Sequence, residues 1–153
     1  MIFIQRSRMM NVKSVTEVDD AVVARVSDVL EFAFPGQKFN VLKVCDSGVY
    51  NMINVSWLDG PTEAEVRFIT RAFEGKNGLR FVHESRKFSN EFVQECIDRL
   101  RKKYGQSNVP PDVRVARYWK NDLWKIKTDR FPGNIDVAIN EMGAETSKYR
   151  KVV

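Results

Sequence analysis

The side chains best suited to chemistry lie near the carboxyl end of the chain, where basic residues alternate with large aromatic rings. Between Arg99 and Arg130 there are ten Arg or Lys residues and three acidic ones, a local charge of +7, whereas the other residues carry −2 of the total of +5. Arginine and lysine neutralise phosphates, and Tyr or Trp rings stack on unpaired bases. The residue types therefore predict contact with nucleic acid or with a nucleoprotein. The residues that we assign to this contact are Arg114, Arg117, Trp119, Lys120, Trp124, Lys125, Lys127 and Arg130.

The same composition allows a second interpretation. Residues 113–119 and 123–130 are rich in β-branched and aromatic side chains and are joined at Asn121-Asp122, a pattern typical of a β-hairpin. In a hairpin the side chains alternate between two faces, so the rings could close a core while the charges are merely solvated. The sequence alone leaves both interpretations open.

Nothing in the sequence predicts a catalytic centre. His83 is the only histidine, which excludes a metal site built from several histidines, and no G-x-S-x-G motif flanks it. The chain also lacks the nucleotide-binding motifs G-x-G-x-x-G and G-x-x-x-x-G-K-[ST]. We therefore predict a non-enzymatic protein that needs no cofactor and no metal. The alternatives are a small enzyme that uses His83 or Asp59, and a structural or oligomerisation module without a ligand.

The composition is that of an ordinary globular protein of 153 residues, with 43% apolar and 29% charged side chains. No apolar run approaches the roughly 18 residues of a membrane span, and Ile2-Phe3-Ile4 is too short for a signal peptide, so we expect a cytoplasmic protein. Cys45 and Cys96 are far apart and form no C-x-x-C pair. Their spacing predicts two buried, reduced thiols rather than a disulfide or a zinc site.

The first elements of the chain are a helix and a hairpin. Thr16 and Asp19 are spaced as a helix cap, and apolar residues follow at helical intervals from Val18 to Ala33, before Pro35-Gly36 ends the helix. Residues 38–44 and 49–57 then predict an antiparallel hairpin. The hairpin face that we expect to pack on helices is formed by Phe39, Val41, Ile53, Val55 and Trp57.

Two more helices and one more strand follow. Thr62 and Glu65 form a capping box for a second helix, and residues 79–84 alternate as a third strand. Ser89 caps a third helix that ends at Gly105. The basic residues in its last turn are favoured there by the helix macrodipole, which explains them without a ligand.

These elements predict an α+β fold in which a small antiparallel sheet is packed by two to three helices, with a C-terminal β-hairpin extension. We divide the chain into a strand or tail over residues 1–13 and a core domain over residues 14–105. A basic, aromatic extension over residues 106–153 is expected to pack on this core.

Three stretches of the core domain match a known family in order and spacing. They are Phe34-Pro35-Gly36-Gln37-Lys38-Phe39, then Val55-Ser56-Trp57-Leu58-Asp59-Gly60-Pro61-Thr62, then Phe81-Val82-His83-Glu84-Ser85-Arg86-Lys87-Phe88-Ser89, which leads to Lys103-Tyr104-Gly105. Over residues 34–105 the chain resembles the large polyvalent protein-associated domain family of the twenty-ninth numbered type. One stretch departs from it. After the second helix the family tends to read Phe-Asp-Gly-Met-x-Asp, where this chain has Phe73-Glu74-Gly75-Lys76-Asn77-Gly78.

The resemblance implies a biological setting more than a reaction. Members of the family look like parts of large multidomain proteins, or like short stand-alone proteins, carried by phages, plasmids and other mobile elements, and no catalytic activity is attached to them. We therefore expect a non-enzymatic, anti-defence accessory protein that binds nucleic acid or a host nucleoprotein complex. A CRISPR inhibitor fits this expectation. Because the chain is net positive, it would have to bind protein or RNA surfaces rather than imitate DNA.

Overall fold

The computed structural model describes residues 17–46, 48–115 and 135–149. Within these ranges the helices are α1 (Asp20–Ala33), α2 (Glu63–Thr70), α3 (Asn90–Tyr104) and α4 (Ile135–Glu145), and the strands are β1 (Asn40–Asp46), β2 (Val49–Leu58) and β3 (Phe81–Lys87). A short 3-10 helix, Arg71–Phe73, follows α2 directly. None of the helices in these ranges is long and apolar enough to cross a membrane.

The three strands form one sheet with β2 in the middle. β1 is antiparallel to β2, as the predicted hairpin requires. Along β3, however, the amide of Arg80 donates to the carbonyl of Asn51 at 2.8 Å, and the amide of Asp59 donates to the carbonyl of Lys87 at 2.7 Å. The residue numbers of the two strands rise together, so β3 is parallel to β2 and the sheet is mixed. The prediction of an antiparallel sheet is wrong, because α2 carries the chain back and a helical crossover returns a strand in the parallel direction.

The start of α1 also differs from the prediction. The side chain of Asp19 accepts a hydrogen bond of 3.0 Å from the amide of Ala21, so Asp19 is the N-cap. The helix begins later than the predicted cap at Thr16, because the amide of Val18 donates to the carbonyl of Tyr50 at 2.7 Å instead of entering the helix.

Contacts among the described residues divide the chain into two compact units. Of the described residues, the first unit contains 17–46, 48–57 and Glu63–Arg86, and the second contains Leu58–Thr62, 87–115 and 135–149. The core of the first unit is formed by Val18, Val22, Val26, Leu30, Ile53, Val55, Trp57, Val66, Leu79 and Val82. Among the residues predicted to pack on helices, Ile53, Val55 and Trp57 are buried, while Phe39 and Val41 are half-buried.

The core of the second unit lies between α3 and α4. Ser89 caps α3 as predicted, with its hydroxyl oxygen accepting a hydrogen bond of 3.1 Å from the amide of Phe92. The buried residues of α3 recur at helical intervals and are Phe92, Val93, Cys96, Ile97 and Leu100. They pack in one cluster with Val109, Val113, Ile135 and Ile139.

The described part of the C-terminal region contains no β-hairpin. Residues 113–115 of the predicted hairpin form no strand, and residues 116–130 lie outside the described ranges. Ile135–Glu145, within the predicted C-terminal extension, form helix α4. The described ranges hold four helices rather than the two or three predicted.

Candidate binding surfaces

Of the residues predicted to contact nucleic acid, the structure describes Arg114, whose side chain is exposed. The others lie outside the described ranges, and their assignment stays a prediction: Arg117, Trp119, Lys120, Trp124, Lys125, Lys127 and Arg130. Residues 114–130 are called the basic segment below.

Arg101 ties the chain that leads to Arg114 onto α3. Its guanidinium donates hydrogen bonds to the carbonyl oxygens of Val109 and Pro110, each at 3.1 Å, and to that of Val113 at 2.6 Å. A further bond of 3.0 Å joins it to the carboxylate of Asp98. These bonds use all three guanidinium nitrogens, and the side chain is 18% exposed. Arg101 is therefore a structural clamp rather than a phosphate contact.

Gln94 fixes the chain again immediately after Arg114. Its side-chain oxygen accepts a hydrogen bond of 2.9 Å from the amide of Val115, and its side-chain nitrogen donates to Asp98 at 3.0 Å. Gln94 and Arg101 are about two helical turns apart on α3. The backbone on both sides of Arg114 is thus attached to one helix, while its side chain faces solvent.

The chain rejoins α3 on the far side of the basic segment. Ile135, the first residue of α4, is fully buried in the core that α3 and α4 share, and Ile139 is buried one turn later. The ammonium group of Lys148 then forms an ion pair of 2.7 Å with Glu95 on α3. The described residues that precede the basic segment and those that follow it from Ile135 onward are therefore both attached to α3.

The C-terminal end of α3 presents further cations. Lys102 and Lys103 are exposed, and the nitrogen of Lys103 lies 5.2 Å from the ring centre of Tyr104. Arg99 is exposed too and reaches the hydroxyl of Thr146 at 3.4 Å. Lys102, Lys103 and Arg114 form no ion pair with another described residue. They are the basic side chains of this unit best placed to meet an anionic partner.

The two residues of the alternative catalytic hypothesis have structural partners. Nδ1 of His83 lies 2.9 Å from the side-chain oxygen of Asn54 on the neighbouring strand. Asp59 accepts a hydrogen bond of 2.8 Å from the amide of Ser89, and its φ of 53° belongs to the turn after β2. The carboxylate of Asp59 thus stabilises a turn.

The described ranges offer no obvious metal centre. They contain no group of three or more His, Cys, Asp or Glu side chains that could hold an ion. Cys96 is buried as predicted, but Cys45 is exposed, so the prediction of two buried thiols is wrong for that residue. Cys45 is exposed because it lies at the irregular end of β1, where the register with β2 shifts between Val44 and Cys45.

A polar cluster that sequence reasoning missed joins α2 to β3. Arg67 donates to both carboxylate oxygens of Glu74, at 2.5 and 3.1 Å, and to the carbonyl of Val82 at 3.1 Å. Glu74 also accepts the amide of Val82 at 3.0 Å. Nearby, the hydroxyl of Thr70 donates to Glu84 at 2.5 Å, and the side chain of Glu84 is 9% exposed.

The charges of this cluster stabilise one another. Burial is the largest single influence on Glu74 and opposes its ionisation, but the hydrogen bonds from Arg67 and Val82 and the charge of Arg67 outweigh it. The pKa of Glu74 therefore lies below its ordinary value. The hydrogen bond to Glu74 is the largest reason why the pKa of Arg67 is raised. The ionised side chains of Arg67 and Glu74 thus attach α2 and the residues after it to β3.

The family can now be assigned from the matched residues. The family model of large polyvalent protein associated domain 29 (LPD29) matches residues 19–110, which is more than half of the chain. The chain belongs to the LPD29 family. The resemblance inferred from residues 34–105 is confirmed, and the match is wider. LPD domains are typical of the polyvalent proteins of mobile elements. No curated protein and no solved structure matches the chain.

The residues that the LPD29 model matches include some of the candidate surfaces and not others. The match runs from the N-cap of α1 to Pro110, a carbonyl partner of Arg101, and so includes the sheet and the Arg67 cluster. Arg114, the rest of the basic segment and α4 lie beyond it.

The structure explains both acidic positions at which this chain departs from the family motif. Glu74 retains a carboxylate, which pairs with Arg67. Gly78 replaces the second acid, and a Cβ atom there would lie 2.2 Å from the carbonyl oxygen of Glu17. Position 78 therefore requires glycine in this chain.

Proposed function

We propose that this LPD29 protein is a non-enzymatic accessory protein of a phage or other mobile element, and that its basic segment binds nucleic acid or a host nucleoprotein complex. The observation that carries the proposal is the attachment of the backbone around Arg114, before it by Arg101 and after it by Gln94. Backbone that is already held, as it is on both sides of Arg114, loses less conformational entropy on binding than free backbone, which favours affinity at this residue.

The distribution of charge supports the same surface. The basic segment contains six basic and two acidic residues. Lys102 and Lys103 add exposed cations at the end of α3, the helix to which the chain on both sides of Arg114 is attached. Phosphate contacts by such side chains release counterions, so the affinity falls steeply as salt is added.

The nucleoprotein to test first is a CRISPR effector complex, because a mobile element has to survive host defences. A chain with a net charge of +5 is unsuited to imitating DNA. It binds instead to the RNA of such a complex or to an acidic protein surface. Binding to a purified effector, with and without its guide RNA, separates these two targets.

Elution from a heparin or nucleic-acid column tests the proposed surface. One variant reverses four residues of the basic segment to Glu: Arg114, Arg117, Lys125 and Lys127. A matched control reverses four exposed residues of the first unit to Glu: Arg25, Lys38, Arg71 and Lys76. Both variants carry the same net charge, so only the surface differs. The first variant is expected to elute at clearly lower salt than the control, and equal elution would overturn the proposal.

A further inference from the structure

The sheet has two edge strands, and side chains close one of them. Along β3 the amide of Val82 donates to Glu74 at 3.0 Å, and its carbonyl accepts from Arg67 at 3.1 Å. Further along β3, the amide of Arg86 donates to the carboxylate of Glu63 at 3.3 Å. Side chains of α2 and of the residues after it therefore take backbone groups that β3 would otherwise offer to a further strand.

The other edge strand, β1, is open. Among the described residues, the backbone of Asn40–Asp46 hydrogen-bonds to β2 alone. An edge strand directs half of its N–H and C=O groups away from its neighbour. Because the pairing with β2 is regular from Asn40 to Val44, these residues present an unbroken edge to a further strand.

The two faces of the sheet differ beside this edge. Lys43, which lies opposite the buried Ile53, forms an ion pair with Asp20 of α1, so its side chain points to the helices. Because side chains alternate along a strand, Leu42 and Val44 point to the other face, where they are 52 and 36% exposed. A strand added to β1 would therefore meet apolar side chains on that face.

On the helix face, α1 presents acidic side chains to the same edge. Asp20 and Glu31 are about three helical turns apart and so lie on one side of α1, with Asp28 next to Glu31. This side lies at β1, because Asp20 pairs with Lys43, whereas Ala33 on the opposite side of the helix lines a groove with residues of α2. A strand added outside β1 would therefore run beside these carboxylates.

The charge of this region favours a basic partner. Residues 17–46 contain six acidic and three basic side chains, whereas the whole chain carries +5. Asp28 and Glu31 are exposed and form no ion pair with any other residue that the structure describes. A second copy of this chain is a poor partner, because β1 strands paired across a two-fold axis would bring the same acidic sides of α1 together.

We propose that β1 binds an extended segment of a partner protein as a fourth strand, and that this segment alternates apolar residues with lysine or arginine. Its backbone pairs with Asn40–Val44. Its apolar side chains lie against Leu42 and Val44, and its basic side chains reach Asp28 and Glu31. Extended peptides add to open sheet edges in this way, with affinity from the main chain and specificity from alternate side chains.

Titration of the full chain with short labelled peptides, followed by fluorescence anisotropy, tests this surface. The first probe alternates valine and lysine, the second alternates valine and glutamate, and the third has the composition of the first with its valines and lysines in two blocks. Only the first is expected to bind, because a strand places alternate residues on opposite faces. A wild-type protein that binds none of the probes, or binds the first and third equally, would overturn the proposal.

Methylation of the peptide backbone tests for strand pairing without any change to the protein. An added strand directs every second N–H to β1 and the others to solvent. Of two probes that are N-methylated on all valines or on all lysines, one should bind like the parent peptide and the other at least about 10-fold more weakly. Equal affinities of these two probes would show that the peptide does not pair as a strand.

Serine variants test the apolar contact. Leu42→Ser with Val44→Ser removes the exposed apolar side chains of β1, and the matched control Phe32→Ser with Phe68→Ser removes exposed ones from α1 and α2. The first variant should bind the valine–lysine peptide about 10-fold more weakly and the control like the wild type. Thermal unfolding shows whether both are folded. Equal affinities of the two variants would count against β1 as the site.

Charge reversal tests the acidic side of α1. Asp28→Lys with Glu31→Lys should make the protein prefer the valine–glutamate peptide, a gain that loss of fold cannot produce. The control Glu141→Lys with Glu145→Lys has the same net charge, changes two exposed residues of α4 and should keep the preference for lysine. An unchanged preference in the first variant would refute the charge complementarity on which the proposal depends.

These experiments contain no nucleic acid, so they are independent of the proposed function. Failure of the peptide titrations leaves the basic segment as it stands, and failure of the column experiment leaves the edge of β1 as it stands. Sedimentation of the wild-type protein tests the remaining occupant. A dimer that Leu42→Ser with Val44→Ser dissociates would assign this edge to a second copy and overturn the proposal.

Discussion

Arg101 donates a hydrogen bond of 2.6 Å to the carbonyl oxygen of Val113, across the stretch that separates the end of α3 from the basic segment. Arg101 also bonds to the carbonyl oxygens of Val109 and Pro110. This basic side chain therefore holds the backbone that follows α3 and is not part of the binding surface. Arg114, the first residue of the basic segment, follows Val113 directly. Its position therefore depends on this clamp.

The clamp predicts a large loss of stability for Arg101→Ala. The change leaves three carbonyl oxygens without their donor, and hydrogen bonds to charged groups contribute about 1.5–3 kcal/mol. We expect the free energy of unfolding, measured by urea denaturation, to fall by about 2–3 kcal/mol. Lys102→Ala, next to it and exposed, is the control and should change stability by less than about 0.5 kcal/mol. Equal effects of the two changes would show that the clamp does not stabilise the fold.

Gly78→Ala is expected to destabilise the first unit severely. The new methyl group would meet the carbonyl oxygen of Glu17 at 2.2 Å, and the φ of 79° is strained for any side chain. Gly36 is the matched control, because its φ is 83° but nothing lies within 4 Å of an added Cβ. Gly36→Ala should cost about 1 kcal/mol and Gly78→Ala clearly more. Thermal unfolding of both variants makes the comparison, and similar melting temperatures would refute the close approach of Glu17.

The helices were predictable because their signals are local. For α3 the structure confirms the predicted N-cap at Ser89 and the C-cap at Gly105, with buried apolar residues between Phe92 and Leu100. All of these signals lie within one short stretch of the sequence. The predicted start of α1 is wrong for a non-local reason, because the amide of Val18 donates a hydrogen bond to the carbonyl of Tyr50.

The missed features depend on residues far apart in the chain. Glu74 and Glu84 meet Arg67 only because β3 returns beside α2, and no spacing rule connects them. The parallel direction of β3 could have been inferred from the helix between the two strands. Arg101 could not have been separated from the neighbouring exposed lysines, because its partners are backbone carbonyls beyond the helix end.

The Arg67 cluster predicts a specific acid sensitivity. The pKa of Glu74 is below its ordinary value of 4.5, so its contribution to stability is complete above that pH and is lost as the pH falls through the lower, folded-state pKa. Glu74→Gln should lower the free energy of unfolding at neutral pH by about 1–2 kcal/mol and should weaken its decline below pH 4.5. Denaturant unfolding across this pH range is the measurement, with the exposed Glu31→Gln as control. The same acid dependence in wild type and Glu74→Gln would contradict the ion pair.

The two thiols should differ in reactivity. Cys45 is exposed and Cys96 is fully buried in the core of the second unit. In the native protein a thiol reagent should therefore modify one cysteine quickly and the second only as fast as the chain unfolds. Cys45→Ser should abolish the fast phase, and a fast phase that survives this change would place Cys96 at the surface.

Salt dependence of binding measures most directly whether the basic segment contacts phosphates. For a single-stranded oligonucleotide, each contact contributes about −0.7 to the slope of the logarithm of the association constant against the logarithm of salt concentration. Reversal of Arg114, Arg117, Lys125 and Lys127 is expected to weaken binding and to flatten this slope by roughly two to three units. Reversal of Arg25, Lys38, Arg71 and Lys76 should leave the slope near that of the wild type. A slope that is the same for the wild type and the basic-segment variant would contradict phosphate binding by this segment.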